Sequence, residues 1–229
     1  MQAKHRSFAG AVMAIFVLPV FLGLVACLPA PVGDPEKSTI DPYISGVWYY
    51  QGEDTFYAFE PYDKRTWLLT AVKVVDDPDE CDQDMGESAE PRDYSATMAR
   101  IEALGTDCFE FKREPGANKV WRTRLGGKWF MTWEGKGVFD AERGFGPEFW
   151  LAFRIEKSEP DQLKLWMIDV EHDAWDVLDD MEQEDVTRRM VEKIVRKHVD
   201  DVDFYDSEAL VFHRVGPEHF ELIEELFGE

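Results

Sequence analysis

From residue 43 onward the chain consists largely of short runs of aromatic and β-branched residues, separated by clusters of Gly, Pro and Asp. In residues 149–156 every second position is apolar: Phe149, Leu151, Phe153 and Ile155. This alternation is typical of a β-strand that turns one face to a core. About eight to ten such runs, including a predicted hairpin over residues 97–112, predict a mainly β (α+β) fold in which an antiparallel meander forms a barrel or curved sheet.

The last third of the chain contains helical patterns. Between Asp185 and Val199 apolar residues recur every three or four positions, which predicts an amphipathic helix. Pro217 stands where a closing helix would begin, and proline is favoured in the first turn of a helix. We therefore expect late helices near residues 174–200 and 217–227, packed on one side of the sheet.

The first 26 residues carry the three parts of an export signal. A basic patch with Lys4 and Arg6 precedes an uncharged apolar run that begins at Phe8, and the run ends in small residues near Ala26. We interpret residues 1–26 as a signal peptide. The alternative is an uncleaved membrane helix, because the uncharged stretch is long enough to span a bilayer. Prolines within and just after the stretch oppose a continuous helix.

The apolar run ends in the sequence Leu24-Val25-Ala26-Cys27. These four residues resemble the lipobox of bacterial lipoproteins, and all four positions match. The resemblance implies that the chain is cut before Cys27, whose sulfur carries diacylglycerol with acyl chains such as palmitate. Two or three acyl chains hold a protein firmly at a bilayer. Leu28 stands where an Asp would signal inner-membrane retention, so the outer membrane is favoured in a Gram-negative cell.

The segment after the lipobox is rich in proline. Residues 27–42 include Pro29, Pro31 and Pro35 and have few apolar residues, which predicts a flexible tether. The remaining residues, 43–229, are predicted to form a single domain.

The chain has three cysteines. If Cys27 carries lipid, Cys81 and Cys108 remain as a pair in an oxidising compartment, which predicts one disulfide. Two buried free thiols are the alternative.

The charge of the mature chain excludes one class of partner. The chain has 25 Lys and Arg and 47 Asp and Glu, and Lys4 and Arg6 are the only charged residues before residue 27. The remainder therefore has 23 basic and 47 acidic residues, a net charge of −24. A surface of this charge repels phosphates, so we expect no nucleic-acid partner.

Two tryptophan patterns bear on ligand binding. The sequence Gly46-Val47-Trp48 resembles the G-x-W of lipocalins, in which the tryptophan closes one end of an eight-stranded barrel. Trp121, Trp129 and Trp133 flank the Gly126-Gly127 pair, which is typical of a type I′ turn. Together with Trp48 they are candidates for lining a ligand cavity. Core packing explains them as well, and a filled core is our expectation.

No reaction motif is found in the sequence. Nothing matches G-x-S-x-G, H-E-x-x-H or a P-loop, and the acidic residues 76–93 fail the register of an EF-hand loop. His172, between Glu171 and Asp173, is interpreted as a polar cap at the end of a strand rather than part of a catalytic dyad. We predict no metal site and no cofactor.

The expected function follows from these features together. We expect a membrane-anchored, exported, non-catalytic module that binds a small apolar or cationic ligand or an envelope protein. Two alternatives stay open: a lipocalin-like carrier of a small apolar ligand, and an envelope hydrolase without a recognisable motif.

Overall fold

The computed structural model describes residues 27–76, 94–114, 117–136, 139–140, 144–145 and 148–227. The predicted signal peptide, the acidic segment after Asp76 and Cys81 lie outside these residues. The described elements, in chain order, are β1 (Gly46–Tyr50), β2 (Thr55–Pro61), β3 (Trp67–Asp76), α1 (Tyr94–Leu104), β4 (Phe109–Arg113), β5 (Asn118–Leu125), β6 (Lys128–Lys136), β7 (Phe139–Asp140), β8 (Gly144–Phe145), β9 (Glu148–Glu159), β10 (Gln162–Met167), α2 (Arg188–Lys197), β11 (Leu210–Arg214) and α3 (Phe220–Phe227).

Eight of the strands close into an antiparallel barrel. Around the wall the order is β1, β2, β3, β5, β6, β9, β10 and β11, and β11 pairs back with β1. Strand β4 pairs with the second half of β3, while β7 and β8 form a separate hairpin. Each barrel strand thus pairs with its neighbours in chain order, as in a meander. The predicted fold class, a mainly β barrel with a few helices, is confirmed.

The barrel interior is filled by large side chains from alternate strand positions. Its fully or almost fully buried residues are Ile44, Trp48, Phe59, Trp67, Leu69, Val120, Met131, Phe153, Leu163, Leu165 and Phe212. Burying a large apolar side chain contributes about 1.5–3 kcal/mol, so this set is the main source of stability in the barrel.

Helices cover two patches of the outer wall. Helix α1 packs Met98 and Ile101 against Tyr49 and Phe56 on the outside of β1 and β2. Residues 97–103 are therefore helical, and the hairpin predicted there is wrong. Met98 and Ile101 lie three positions apart, so a helix brings both onto one face, whereas a strand would turn them to opposite faces.

Helix α2 and the turns around it cover the wall formed by β5, β6 and β9. Val191 and Val195 are fully buried there, together with Phe204 from a 3₁₀ turn at Val202–Phe204. Among the described residues, no helix is long and apolar enough to cross a membrane.

Residues 28–33, here called the N-terminal segment, do not form the flexible tether predicted from their prolines. Leu28 is 2% exposed and its amide N–H donates to the carbonyl of Trp150, at 2.9 Å. The carbonyl of Val32 accepts hydrogen bonds from Trp121 Nε1 at 3.0 Å and Thr132 Oγ1 at 2.7 Å. The small apolar residues alternate with the prolines, so one face of the segment packs on the barrel wall.

Candidate functional site

One end of the barrel is closed by residues 36–45, here called the plug. Ile44 is fully buried inside the barrel, and its carbonyl accepts a hydrogen bond from Trp48 Nε1 at 2.8 Å. Tyr43 Oη lies 2.6 and 2.8 Å from the carbonyl oxygens of Glu159 and Gln162, which share its single donated proton. These bonds tie the plug to β1 and to the β9–β10 hairpin, so it forms a fixed floor.

Arg214, at the end of β11, contacts both the plug and β1. Its guanidinium carbon lies 4.2 Å from the centroid of the Trp48 ring, a cation–π contact. It also donates to the carbonyl of Ser45 at 3.1 Å and to that of Tyr43. The planar guanidinium of an arginine can stack on a ring and donate to backbone carbonyls at the same time, whereas the ammonium group of a lysine cannot.

The plug carries a second charged contact at Asp41. One carboxylate oxygen of Asp41 accepts from Arg122 and from Lys157. Burial, the largest influence, raises the pKa of Asp41, but the hydrogen bonds from Lys157 and the Tyr43 amide and the charge of Arg122 outweigh it. The net effect holds the pKa below its usual value, so the carboxylate stays charged at neutral pH.

The opposite end of the barrel, here called the far end, has a different lining. The interior side chains there are half-buried and mostly apolar or aromatic; they are Tyr50, Tyr57, Trp133, Leu151, Met167 and Leu210. Alternation in each strand brings them to the inner face. Small-molecule sites are mostly apolar with a few polar groups, and the side chains at the far end have that composition.

Three of these far-end rings form one layer with three fully buried rings below them. This aromatic layer consists of Tyr50, Tyr57, Phe59, Trp133, Phe153 and Phe212. Ring centroids of Tyr57 on β2 and Trp133 on β6 are 6.1 Å apart. These two strands are not neighbours in the wall, so the contact crosses the interior. The layer therefore fills the barrel at this depth and limits any site at the far end to the space above it.

Trp133 carries an unmet polar group within this layer. Its indole Nε1 is buried and has no hydrogen-bond partner among the described residues. Five other indole N–H groups do have acceptors, those of Trp48, Trp67, Trp121, Trp166 and Trp175. An unsatisfied buried donor costs about 1–3 kcal/mol, so an acceptor supplied from outside would bind favourably at this point.

Tyr57 lies beside Trp133 and supplies a neutral hydroxyl. Burial raises the pKa of the Tyr57 phenol far above its ordinary value, and the charges of Glu53 and Glu114 raise it further. The phenol therefore keeps its proton at every physiological pH. The far end thus offers aromatic faces, an unpaired indole N–H and an uncharged O–H.

The four tryptophans expected to line one cavity lie in different places. Trp48 is inside the barrel beside the plug. Trp121 faces the outer wall and binds the N-terminal segment, whereas Trp129 is 37% exposed and contacts the guanidinium of Arg122 at 4.3 Å. Trp133 alone of the four belongs to the far end.

Sequence reasoning missed the other far-end residues and Arg214. The alternation along the strands could have indicated two of them, because Tyr50 lies on the same strand face as Trp48, and Tyr57 on the same face as Phe59. The pairing of β1 with β11, which brings Arg214 to Trp48, is not visible in the local pattern.

An acidic crevice of about 680 Å³ lies near the end of β10. Carboxylates dominate its polar lining: Asp169, Glu171, Asp203, Asp206 and Glu208. Burial raises the pKa of Asp206 above its ordinary value, and the negative charge of Asp169 raises it further. A crevice with this lining attracts cations and repels anions.

His172 is a cap, but of a helix and not of a strand as predicted from the sequence. Its Nδ1 accepts a hydrogen bond from the amide of Ala174 at 3.0 Å and so caps the 3₁₀ helix Asp173–Leu178. Such caps contribute about 0.5–2 kcal/mol. The other ring nitrogen faces Asp201, and His198 approaches the same carboxylate from the end of α2.

The cysteines occupy separate positions. Cys27 is a free, half-buried cysteine at the start of the N-terminal segment. Cys108 is 8% exposed and packs beneath α1. Because Cys81 lies outside the described residues, its pairing with Cys108 stays a prediction.

Comparisons with known proteins give no relative from which a role can be transferred: no family model, curated protein or solved structure matches the chain.

Proposed function

We propose that the chain is a non-catalytic binding protein of the cell envelope that takes a small, largely apolar ligand at the far end of its barrel. The observation that carries this proposal is the indole N–H of Trp133, buried without a partner within an aromatic layer. A ligand oxygen that accepts this N–H would remove the cost of leaving it unpaired.

The shape of the interior narrows the class of ligand. Rings meet across the barrel at Tyr57 and Trp133, and the residues below them, such as Phe153, are fully buried. A long acyl chain would have to displace this layer. A flat ring with one hydrogen-bond acceptor disturbs the layer less, because it can stack on the half-buried aromatic rings and only the Trp133 side chain must move to meet the acceptor.

The barrel supports a lipocalin-like carrier as the more specific form of this proposal. Its eight strands follow meander order, and Trp48 is buried beside the plug, where the G-x-W resemblance implies a tryptophan. A cationic ligand, the other class expected from the sequence, is better matched by the acidic crevice.

The ligand proposal can be tested with a neutral acyl-dimethylaminonaphthalene probe, whose carbonyl is an acceptor. We expect saturable binding of about one probe per chain, with quenching of tryptophan emission. Trp133→Phe keeps a ring and removes the N–H, so it should weaken binding about tenfold, the equivalent of about 1.4 kcal/mol. Trp121→Phe is the matched control, because Trp121 faces the outer wall.

Two results would contradict the proposal. One is the absence of saturable binding to the folded protein. The other is an equal loss of affinity in the Trp133 and Trp121 variants, which would mean that the probe does not bind at the far end. Turnover of generic esterase, glycosidase or peptidase substrates would instead favour the envelope hydrolase.

We also propose export and lipid attachment through Cys27, on the strength of the Leu24-Val25-Ala26-Cys27 lipobox. Leu28 is already bonded to Trp150 of the barrel wall, so the lipid would stand one residue from the folded body. A barrel attached in this way lies against the bilayer instead of on a long tether.

Cys27→Ser tests the attachment directly. We expect loss of lipid labelling and accumulation of a full-length precursor in a bacterial host. Cys108→Ser, which leaves the lipobox intact, is the control. A Cys27→Ser chain that is still lipidated and cut to the same size would contradict lipid attachment at this residue.

A further inference from the structure

Three side chains converge where α2 ends. His172 Nε2 lies 3.6 Å from Asp201 Oδ2, and His198 Nδ1 lies 3.4 Å from the same oxygen. All three residues are half-buried, and one ligand atom from each lies within 4.8 Å of the other two. The cluster is separate from the far end of the barrel.

From this geometry we propose that His172, His198 and Asp201 bind a divalent transition-metal ion such as Zn²⁺. Nitrogen and oxygen ligands lie about 2.0–2.2 Å from tetrahedral zinc, so two of its ligand atoms are about 3.3–3.5 Å apart. The separations of 3.6 and 3.4 Å are within a few tenths of an ångström of that value. Two imidazoles and a carboxylate are a ligand set typical of zinc.

The surrounding contacts hold the ligands in place. Both imidazoles pack on the Phe204 ring, with centroids 5.4 and 5.5 Å away. The second carboxylate oxygen of Asp201 accepts from the Asp203 amide at 3.2 Å, which leaves Oδ2 facing the histidines. Supporting hydrogen bonds of this kind orient metal ligands.

The acidic crevice places negative charge close in the chain to two of the proposed ligands. Glu171 and Asp203 line the crevice and are sequence neighbours of the proposed ligands. Negative charge around an opening raises the local concentration of cations. The fourth metal position would be filled by water.

Metal binding should change the protonation of His172 in a measurable way. Without metal, Nδ1 accepts the Ala174 amide, so neutral His172 carries its proton on Nε2. A metal on Nε2 requires the proton on Nδ1, and the cap bond to Ala174 must then break. A metal–nitrogen bond is stronger than a single cap, so the exchange favours the bound form.

The first experiment is a zinc titration of the full purified chain against a chromophoric chelator. We expect one site per chain, with affinity lowered at least tenfold in His172→Asn, His198→Gln and Asp201→Asn. Asparagine at position 172 retains a cap acceptor and removes the imidazole, which separates metal binding from helix capping. His213→Gln and His219→Gln are the controls and should leave the affinity unchanged.

The second experiment uses the unmodified chain and does not depend on variants that fold. When Zn²⁺ is added, the proton of His172 should shift from Nε2 to Nδ1, and long-range ¹H–¹⁵N spectra should report this change of tautomer. Co²⁺ bound in place of Zn²⁺ should give the visible absorption of a tetrahedral site. The proposal is overturned if Zn²⁺ does not bind at micromolar concentration, if the tautomer is unchanged, or if the ligand variants bind as tightly as the controls.

Discussion

At the residue scale, the turn between β5 and β6 requires glycine for two different reasons, the backbone conformation at both positions and the packing at one of them. Gly126 and Gly127 have φ values of 54° and 85°, close to those of a type I′ turn. The type I′ turn predicted from the Gly-Gly pair is therefore present. A Cβ on Gly126 would meet Val199 Cγ1 at 2.7 Å, whereas a Cβ on Gly127 would meet nothing within 4 Å.

The two glycines form a matched pair for mutation. Gly127→Ala should cost only the strain of a positive φ, about 1 kcal/mol. Gly126→Ala should cost about 1–3 kcal/mol more, because Val199 must also move away. Urea unfolding of both variants measures the difference. Equal losses of unfolding free energy would mean that Val199 does not restrict the turn.

At the element scale, the N-terminal segment behaves as part of the barrel wall. Gly33 has a φ of +81°, and a Cβ there would meet the Cβ of Thr123 at 2.5 Å. The segment reaches Trp121 and Thr132 only because a glycine allows this close approach to β5. A sequence rich in proline thus packs on the sheet without forming a regular strand.

Gly33→Ala should release the N-terminal segment. We expect amide hydrogen exchange at Leu28 to rise at least tenfold and the unfolding free energy to fall by about 1–3 kcal/mol. Gly105→Ala is the control, since Gly105 has a similar φ of +83° but open space around its Cβ position. If exchange at Leu28 is unchanged in Gly33→Ala, the Thr123 side chain moves aside and the N-terminal segment stays in place.

The predicted Cys81–Cys108 disulfide is the second test at this scale. It would close a loop of 28 residues, for which the chain-entropy model gives about 3–4 kcal/mol of stabilisation. Strong reduction should therefore lower the melting temperature, and alkylation with mass spectrometry should label both thiols only after reduction. Labelling of both thiols without reductant would contradict the pairing.

At the scale of the whole molecule, the barrel has two unlike ends. The plug joins β1, β5, β9 and β11 through hydrogen bonds and ion pairs, while the far end has half-buried aromatic rings. The charge of −24 on residues 27–229 repels itself within the compact fold. Ion pairs such as those of Asp41 offset part of that repulsion.

Asp41 should make the stability of the barrel depend on pH. Its pKa in the folded state is held below 3.8, so the ionised form contributes stability that is complete above about pH 5 and is lost as the pH falls through the lowered pKa. Asp41→Asn should cost about 1–3 kcal/mol at pH 7 and flatten the loss of stability in acid. Denaturant unfolding between pH 3 and pH 7 measures both effects.

The exposed Asp180 provides the control for this measurement. Asp180→Asn should leave the unfolding free energy at pH 7 and its pH dependence nearly unchanged. If the Asp41 and Asp180 variants respond alike to acid, the plug is not held by the ion pairs of Asp41.

The sequence by itself determined most of the strands, the Gly126-Gly127 turn and the meander, because these depend on neighbours a few residues apart; residues 97–103, predicted as a strand, are the exception. Only the tertiary structure decided where single side chains meet. His172 and Asp201 are 29 residues apart in the chain, and Trp48 and Arg214 are 166 apart. Local patterns carry no signal for such distant pairs, since the encounter is set by how the closed barrel places one strand or turn beside another.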